Sequence, residues 1–240
     1  MNRITAYIRQ SLQDIYPPEE VKALSMLICC DMLGVDALDI YMGKDIILSA
    51  CKQRELENII FRLQKNEPIQ YIRGYAEFCG RNFRVAPGVL IPRPETAELV
   101  DLIVKENPDA RRLLDIGTGS GCIAISLDKN LPDAKVDAWD ISEEALAIAR
   151  KNNEELDAQV TFRRQDVFSA DGIQGTSYDI IVSNPPYVTE TEKTEMEANV
   201  LDWEPELALF VPDEDPLRFY RRIAAVSYTH LRAHETSAHL

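Results

Sequence analysis

The sequence predicts an α/β protein in which a doubly wound, Rossmann-like parallel sheet follows a small helical domain. Two patterns lead to this prediction. From about residue 93, apolar runs typical of buried strands alternate with helical segments, and these runs fall at 111–116, 135–140, 160–164 and 178–183. Nearer the N-terminus, apolar residues recur at helical spacing instead, as in Ile4, Ile8, Leu12 and Ile15.

The helical domain is predicted over residues 1–67. One helix is expected to begin at Pro18, which suits a first helical turn, and to end at Gly34. A later apolar stripe ends before Pro68 and comprises Ile47, Cys51, Leu56, Ile59, Ile60 and Leu63. These stripes predict the core of a small bundle, with docking of the substrate as its expected further role.

Two further segments complete the predicted organisation. Residues 68–92 alternate β-type residues with Gly and Pro, which predicts a β-hairpin connecting two domains. The α/β domain is then assigned to residues 93–226.

Composition places the chain among compact proteins of a reducing compartment. Of its 240 residues, 45% are hydrophobic, which is enough apolar material for a packed core. No apolar run approaches the ~20 residues that cross a bilayer, and the N-terminus lacks the apolar core of a signal peptide. The five cysteines show no CxxC spacing, so reduced thiols and a cytoplasmic location are expected.

The net charge of −14 argues against a nucleic-acid substrate and favours a protein one. Residues 1–75 hold 9 basic and 10 acidic side chains, so 17 basic and 30 acidic side chains fall in the remainder. An acidic α/β domain is repelled by a phosphate backbone, which otherwise supplies most nucleic-acid affinity.

A glycine-rich turn predicts a cofactor pocket after the first strand of the sheet. Gly117, Gly119 and Gly121, with Thr118 between the first two, allow close backbone approach to a ligand. Gly-x-Gly-x-Gly alone is shared with dinucleotide-binding proteins. Asp115 precedes the turn, and Asp140 closes the next strand, where an acid is placed to accept both ribose hydroxyls.

The third strand end supplies a candidate adenine site. Asp166 can accept a hydrogen bond from an adenine amino group beside Val167, and Ile141 can pack on the base. Taken in order, the glycine turn, the two acids and Asn184-Pro185-Pro186-Tyr187 resemble a class I S-adenosylmethionine methyltransferase. NAD is the alternative cofactor, but it leaves the last of these motifs without a role.

Asn184-Pro185-Pro186-Tyr187 directly follows a run that is typical of a buried strand. The carboxyl end of a parallel strand is where ligands of α/β sheets bind. Asn184 offers a carbonyl acceptor and is held extended by the proline after it, so the loop suits a planar -NH2 group. The loop resembles the (Asp/Asn)-Pro-Pro-Tyr signature of methyltransferases acting on such nitrogens; a turn that merely ends the strand is the alternative.

From about residue 1 to 226, the chain resembles the bacterial protein-(glutamine-N5) methyltransferases that modify peptide chain release factors. The resemblance rests on the four motifs above and on the runs Pro68–Gly74, Arg93-Pro94-Glu95-Thr96 and Glu204-Pro205-Glu206. It implies methyl transfer to the glutamine amide of the Gly-Gly-Gln motif in class I release factors. A monomer is expected, and no residue is assigned to a metal. It also implies catalytic roles for Asn184, Pro185 and Tyr187, with Pro186, Arg93 and Glu95 contacting the substrate; Arg93 and Glu95 have a rigid interdomain turn as their alternative role.

Other functions are consistent with parts of the sequence. The acceptor nitrogen of the same reaction can belong to a ribosomal-protein glutamine, or to adenine or cytosine. The non-enzymatic alternative is a degenerate, inactive methyltransferase fold that is retained for protein binding. The intact site residues argue against it, namely Asp115, Gly117, Gly119, Asp140 and Asn184.

The segment 227–240 departs from the family pattern. It holds all three histidines of the chain, His230, His234 and His239, the first two at a helical spacing that a metal site can use. Foreign sequence is the preferred interpretation. The family pattern continues with three further strands, so their absence predicts that the strand before Asn184 forms an open sheet edge.

Overall fold

A computed structural model describes residues 3–172 and 177–230. The chain separates into two compact units. One comprises Met1–Arg73 with Ala198–Trp203, and the other comprises Gly74–Glu197 with Glu204–Leu240.

The first unit is helical, as predicted. Its helices are α1 (Arg3–Leu12), α2 (Pro18–Met26), α3 (Ala37–Tyr41), α4 (Ala50–Leu63) and α5 (Ile69–Arg73), and α2 runs on into a π-helical turn over Leu27–Met32. Ser49 caps α4 by accepting a hydrogen bond from Lys52 N–H. The apolar stripes meet in one core that includes Ile8, Leu12, Ile28, Leu56 and Leu63.

The hairpin predicted over residues 68–92 is wrong in its first part. Residues Ile69–Arg73 form the short helix α5, because Pro68 opens a helical turn in which its carbonyl accepts hydrogen bonds from Tyr71 N–H and Ile72 N–H. Gly74 (φ +83°) then reverses the chain. The hairpin itself comprises β1 (Tyr75–Phe78) and β2 (Arg81–Arg84), and residues 85–92 follow outside both strands.

All four strands predicted for the large sheet are confirmed. They are β3 (Arg112–Ile116), β4 (Lys135–Asp140), β5 (Thr161–Arg164) and β6 (Ile180–Ser183), and all pair in parallel in the order β5-β4-β3-β6. The chain moves outward from β3 to β5 and then returns to the other side of β3. This reversal opens a crevice between the carboxyl ends of β3 and β6. Within the described residues, β6 lies at the lateral edge of the sheet.

Helices α6 (Pro94–Glu106), α7 (Cys122–Asn130), α8 (Glu143–Glu155) and α11 (Arg218–His230) complete the α/β unit. One core contains residues of α6, α7, β3 and β4 such as Val100, Leu127, Leu113 and Val136. A second core contains Trp139, Tyr178 and, from α11, Val226. Between β6 and α11 lie β7 (Val188–Thr189), α9 (Ala198–Leu201), α10 (Glu206–Leu209) and β8 (Phe210–Val211), with β7 and β8 pairing in parallel.

The C-terminal predictions lie largely beyond the described residues. Helix α11 extends to His230, whereas residues 231–240, with His234 and His239, fall outside them, so the metal interpretation of these histidines is not tested. Within residues 3–172 and 177–230, every helix is too short or too polar to span a bilayer.

Candidate active site

The glycine-rich turn is held in place by its own backbone. Gly117 N–H and Thr118 N–H both donate to the carbonyl of Trp139, at 2.8 and 3.0 Å, which ties the end of β3 to β4. Gly117, Gly119 and Gly121 all have positive φ. A Cβ atom on Gly117 or Gly119 would have no neighbour within 4 Å, whereas one on Gly121 would lie 3.2 Å from Ala149 Cβ. The first two glycines therefore border open space for a ligand, and Gly121 permits close packing of α7 against α8.

Asp115 lies beneath this turn and is fully buried. Its Oδ2 accepts a hydrogen bond from the Thr118 hydroxyl at 2.6 Å, while Oδ1 has no hydrogen-bond partner. Burial raises the pKa of Asp115 to about 7, against the opposing effects of the Thr118 hydroxyl and the Ala124 backbone.

Asp140 shapes the turn in addition to the ribose role predicted for it. Its Oδ2 accepts Gly119 N–H at 2.8 Å, and its Oδ1 accepts Ser142 N–H at 2.9 Å. Burial raises the pKa of Asp140, and the backbone N–H groups of Ser142, Gly119 and Ile141 oppose that rise. Ile141 is 42% exposed beside it, so an apolar surface is available next to this carboxylate.

The end of β5 forms a short turn around Asp166. Its Oδ1 accepts Phe168 N–H at 2.9 Å, which fixes the carboxylate above the turn. Val167 is buried, and its carbonyl accepts a 2.8 Å hydrogen bond from Arg222 Nε in α11. The predicted adenine-side residues Asp166 and Val167 thus lie on a turn supported by α11.

Asn184 follows β6, next to the strand that leads into the glycine turn. In the register of β3 and β6, Ser183 pairs with Ile116, and the Ser183 hydroxyl donates to the Ile116 carbonyl at 2.6 Å. Gly117 and Asn184 follow these two strands, so they are neighbours at the carboxyl end of the sheet, where ligands bind. Pro185 is buried, Pro186 is half-buried, and Tyr187 is 59% exposed, so the aromatic ring is accessible.

Arg93 and Glu95 begin helix α6. Arg93 Nη2 lies 2.6 Å from Glu204 Oε1, and Glu204 Oε2 accepts Ile91 N–H at 3.0 Å. The Glu204 side chain is 1% exposed, whereas that of Arg93 remains 37% exposed and Glu95 is exposed. Glu204 thereby fixes the start of α6, which is a role that the sequence motif alone does not reveal.

Two residues next to the site, Thr96 and Asn152, make contacts that the sequence did not predict. Thr96 Oγ1 accepts a 3.4 Å hydrogen bond from Asn184 Nδ2. Asn152 in α8 is 1% exposed and donates from Nδ2 to the carbonyl of Ser120, in the glycine turn, at 2.8 Å. The Asn152 amide also exchanges two hydrogen bonds with the Arg84 backbone, at 2.6 Å to the N–H and 3.1 Å to the carbonyl.

Asp115, Asp140, Asp166 and Asn184 lie at or next to the carboxyl ends of the parallel strands, whereas Arg93 and Glu95 lie at the start of α6. Acidic groups and open backbone surround the glycine turn, as suits a cationic, hydroxyl-bearing ligand. Asn184 and Tyr187 present an amide and an aromatic surface. This arrangement can place a planar amino group next to a bound cofactor.

Two family models match the chain. One is described as "PrmC N-terminal domain" and matches residues 4–74, and the other is described as "Methyltransferase small domain" and matches residues 95–202. Among solved structures, the hMettl16 catalytic domain in complex with MAT2A 3'UTR hairpin 6 superimposes with a TM-score of 0.50 at 18% identity, covering 77% of this chain and 66% of that chain. The predicted class I methyltransferase fold is thereby confirmed.

Curated relatives match most of the chain. The release factor glutamine methyltransferase of Bacteroides thetaiotaomicron is 97% identical over 232 residues, which cover 97% of this chain and 84% of that protein. The release factor glutamine methyltransferase of Flavobacterium psychrophilum is 42% identical over 227 residues, covering 92% of this chain and 79% of that protein.

Proposed function

The chain belongs to the release factor glutamine methyltransferases, and we propose that it transfers a methyl group from S-adenosylmethionine to the side-chain amide nitrogen of the Gly-Gly-Gln glutamine in class I release factors. The observation that carries this proposal is the position of Asn184. It follows β6 directly beside the glycine turn that follows β3. An amide-binding group and a cofactor-binding turn therefore share one crevice.

The residues around the glycine turn fit S-adenosylmethionine. Open space lies over Gly117 and Gly119, and the buried Asp115 carboxyl has an oxygen without a partner. We assign Asp140 to the ribose hydroxyls, Ile141 and Val167 to the faces of the base, and Asp166 to its amino group. Thr118, Gly121 and Asn184 complete the cofactor side. Bound S-adenosylmethionine supplies an electrophilic methyl group on a positively charged sulfur.

The acceptor side must overcome the weak nucleophilicity of an amide. The nitrogen lone pair is conjugated with the carbonyl, so the nitrogen has to be held with its lone pair directed at the methyl group. The Asn184 side-chain oxygen and the Pro185 backbone carbonyl can accept both N–H hydrogens, and Tyr187 can pack on the amide plane. Orientation of this kind contributes up to roughly 7–11 kcal/mol in well-aligned systems.

The remaining walls of the acceptor site exclude water and direct the substrate. Pro186, Glu95 and the exposed part of Arg93 form the outer wall in this proposal. The nitrogen–methyl bond forms as the sulfur–methyl bond breaks, which leaves a neutral thioether and moves the positive charge to the nitrogen. A dry site favours this dispersal of charge. The charge then leaves with one N–H proton, which passes through the oxygen that accepts it to solvent, so no side chain is assigned as a general base.

We extend the proposal to the setting of the enzyme. The helical segment 1–67 docks the release factor, 68–92 connects the units and 93–226 carries the transfer chemistry. The enzyme acts as a monomer in the cytoplasm, without nucleic acid as a direct substrate. The excess of acidic residues supports the last point, since 40 acidic side chains oppose 26 basic ones.

Methyl transfer by purified protein tests the acceptor. The chain is incubated with radiolabelled S-adenosylmethionine and one of four acceptors: a class I release factor, the same factor with its Gly-Gly-Gln glutamine changed to alanine, a ribosomal-protein fraction, or DNA. We expect label in the unaltered release factor alone. Label in DNA, in the ribosomal proteins or in the glutamine-lacking factor would contradict the assigned acceptor.

Asn184→Ala tests the assigned chemistry. Removing the acceptor oxygen should lower kcat by about a hundredfold or more, as loss of one preorganised polar group does in other active sites. The dissociation constant of S-adenosylmethionine, measured by calorimetry, should change much less than kcat, because the other residues on the cofactor side are intact. Asn82→Ala, at an exposed hairpin position, is the matched control. Full turnover by the Asn184 variant would overturn the assignment.

A further inference from the structure

We propose that Thr96 is a positioning residue for methyl transfer, which orients the Asn184 amide so that its oxygen faces the acceptor. This inference rests on the proposed function. The contact that supports it is the hydrogen bond from Asn184 Nδ2 to Thr96 Oγ1 at 3.4 Å. Thr96 lies 88 positions away in sequence and belongs to a different element, so the contact is a tertiary one.

An asparagine amide has two ends of similar shape and opposite hydrogen-bonding character. If it rotates by half a turn, Nδ2 replaces Oδ1 and a donor faces the donor hydrogens of the acceptor amide. The Thr96 hydroxyl can donate or accept, so its hydrogen bond holds the amide in place, and in the observed orientation it accepts from Nδ2 and leaves Oδ1 for the acceptor amide. Within the described residues, Thr96 is the one side chain that bonds to Nδ2, and Oδ1 has no partner there.

The surroundings of Thr96 hold it firmly. Pro94 occupies the first turn of α6, and Thr96 N–H donates to the Arg93 carbonyl at 3.1 Å. Val100 and Ile103 lie on the same helical face as Thr96, and both are buried in the core. Just before the helix, the buried Glu204 carboxylate accepts hydrogen bonds from the Arg93 side chain and from Ile91 N–H. The start of α6 is thus fixed by its core face and by Glu204.

The distance of 3.4 Å is long for a hydrogen bond. Catalytic hydrogen bonds commonly tighten when the substrate binds. The tightened bond would act through Asn184 in the transition state, so its loss lowers kcat more than it raises KM.

Two substitutions separate this role from a structural one. Thr96→Val keeps the shape and removes the hydroxyl, whereas Thr96→Ser keeps the hydroxyl. We expect Thr96→Val to lower kcat about tenfold, in keeping with one hydrogen bond. Thr96→Ser should stay within about threefold of the unaltered chain. The melting temperature and the dissociation constant of S-adenosylmethionine should change little in either variant.

A double-mutant cycle and an amide spectrum complete the test. In an Asn184→Ala background, Thr96→Val should have no further effect on residual turnover, because the group it orients is gone. In an NMR spectrum of protein labelled with 15N-asparagine, the Asn184 side-chain NH2 signal is identified by its loss in Asn184→Asp. The chemical shift of this signal should change in Thr96→Val and stay nearly the same in Thr96→Ser.

Unchanged kcat in Thr96→Val, additive effects in the cycle, or weaker cofactor binding by the same factor as kcat would each overturn the inference. A failure of the proposed function is distinguishable, because the unaltered chain would then not methylate the Gly-Gly-Gln glutamine at all. The spectrum reports on the Thr96 contact even in that case.

Discussion

Replacing Asn152 with alanine should destabilise the α/β unit strongly, because this single side chain closes three backbone hydrogen bonds. Its Oδ1 accepts Arg84 N–H at 2.6 Å, and its Nδ2 donates to the carbonyls of Arg84 and Ser120 at 3.1 and 2.8 Å. Asn152 thus connects helix α8, the edge of the hairpin strand β2 and the glycine turn. None of the three partners lies near it in sequence.

The magnitude follows from the burial of the site. Asn152 is 1% exposed, so water does not readily replace the lost amide. Each hydrogen bond contributes about 1 kcal/mol net, and a buried polar group left unpaired costs about 1–3 kcal/mol. The free energy of unfolding should therefore fall by about 3–5 kcal/mol, toward the upper end of single substitutions. The Ser120 carbonyl also loses its anchor, so cofactor binding should weaken.

Urea denaturation followed by circular dichroism measures the change in unfolding free energy, and calorimetry measures the dissociation constant of S-adenosylmethionine. Lys151→Ala provides the matched control, since it alters the adjacent, exposed position of the same helix. The control should stay within about 0.5 kcal/mol of the unaltered chain. An Asn152→Ala variant as stable as that control would refute the three-bond reasoning.

Two other substitutions probe the glycine turn. Gly121→Ala places a Cβ 3.0 Å from Ile125 Cδ1 at φ +81°, so it should cost about 2–4 kcal/mol, more than Gly119→Ala, which meets open space. Equal urea midpoints for the two would contradict this. Asp115→Asn tests the raised pKa: the folded state keeps that proton to about pH 7, whereas the unfolded chain releases it near 3.8. The stabilisation from protonated Asp115 is therefore full below pH 3.8 and is lost as the pH rises toward 7, above which this group adds no further pH dependence. In urea titrations, Asp115→Asn should flatten the fall of the unfolding free energy between these pH values. An unchanged slope would contradict the assignment.

The sequence predicted the α/β unit well where local pattern and fold agree. Strands β3, β4 and β6 are short runs rich in apolar residues that end at or near Gly117, Asp140 and Pro185, and all four strands of the sheet appear at their predicted places. The glycine turn and Asn184 come together because parallel strands have their carboxyl ends at the same end of the sheet. The order of motifs along the chain was therefore enough to predict that these two loops lie at that end.

Local sequence pattern does not predict single polar residues that act through a tertiary contact. Asn152 lies among Lys151, Asn153 and Glu154, a composition typical of a solvated helix end, yet it is buried. Glu204 shows the same limitation, because its partners Arg93 and Ile91 lie more than a hundred residues away. Neither pairing leaves a periodic signal.

Residues 69–73 illustrate a local conflict. Ile69, Tyr71 and Ile72 have strand propensities, but they form helix α5 after Pro68. Tyr71 is buried, and Ile69 and Ile72 pack against the core of the helical unit. Tertiary packing overrode the intrinsic preference of these side chains.

The proposed reaction of this chain is methylation of the side-chain nitrogen of one glutamine. The most direct test is fragment-ion mass spectrometry of a class I release factor after incubation with the chain and S-adenosylmethionine, with Asn184→Ala in parallel. We predict a single added methyl group on the side chain of the Gly-Gly-Gln glutamine, absent with the variant. An unmodified glutamine, or methylation at another residue, would contradict the claim.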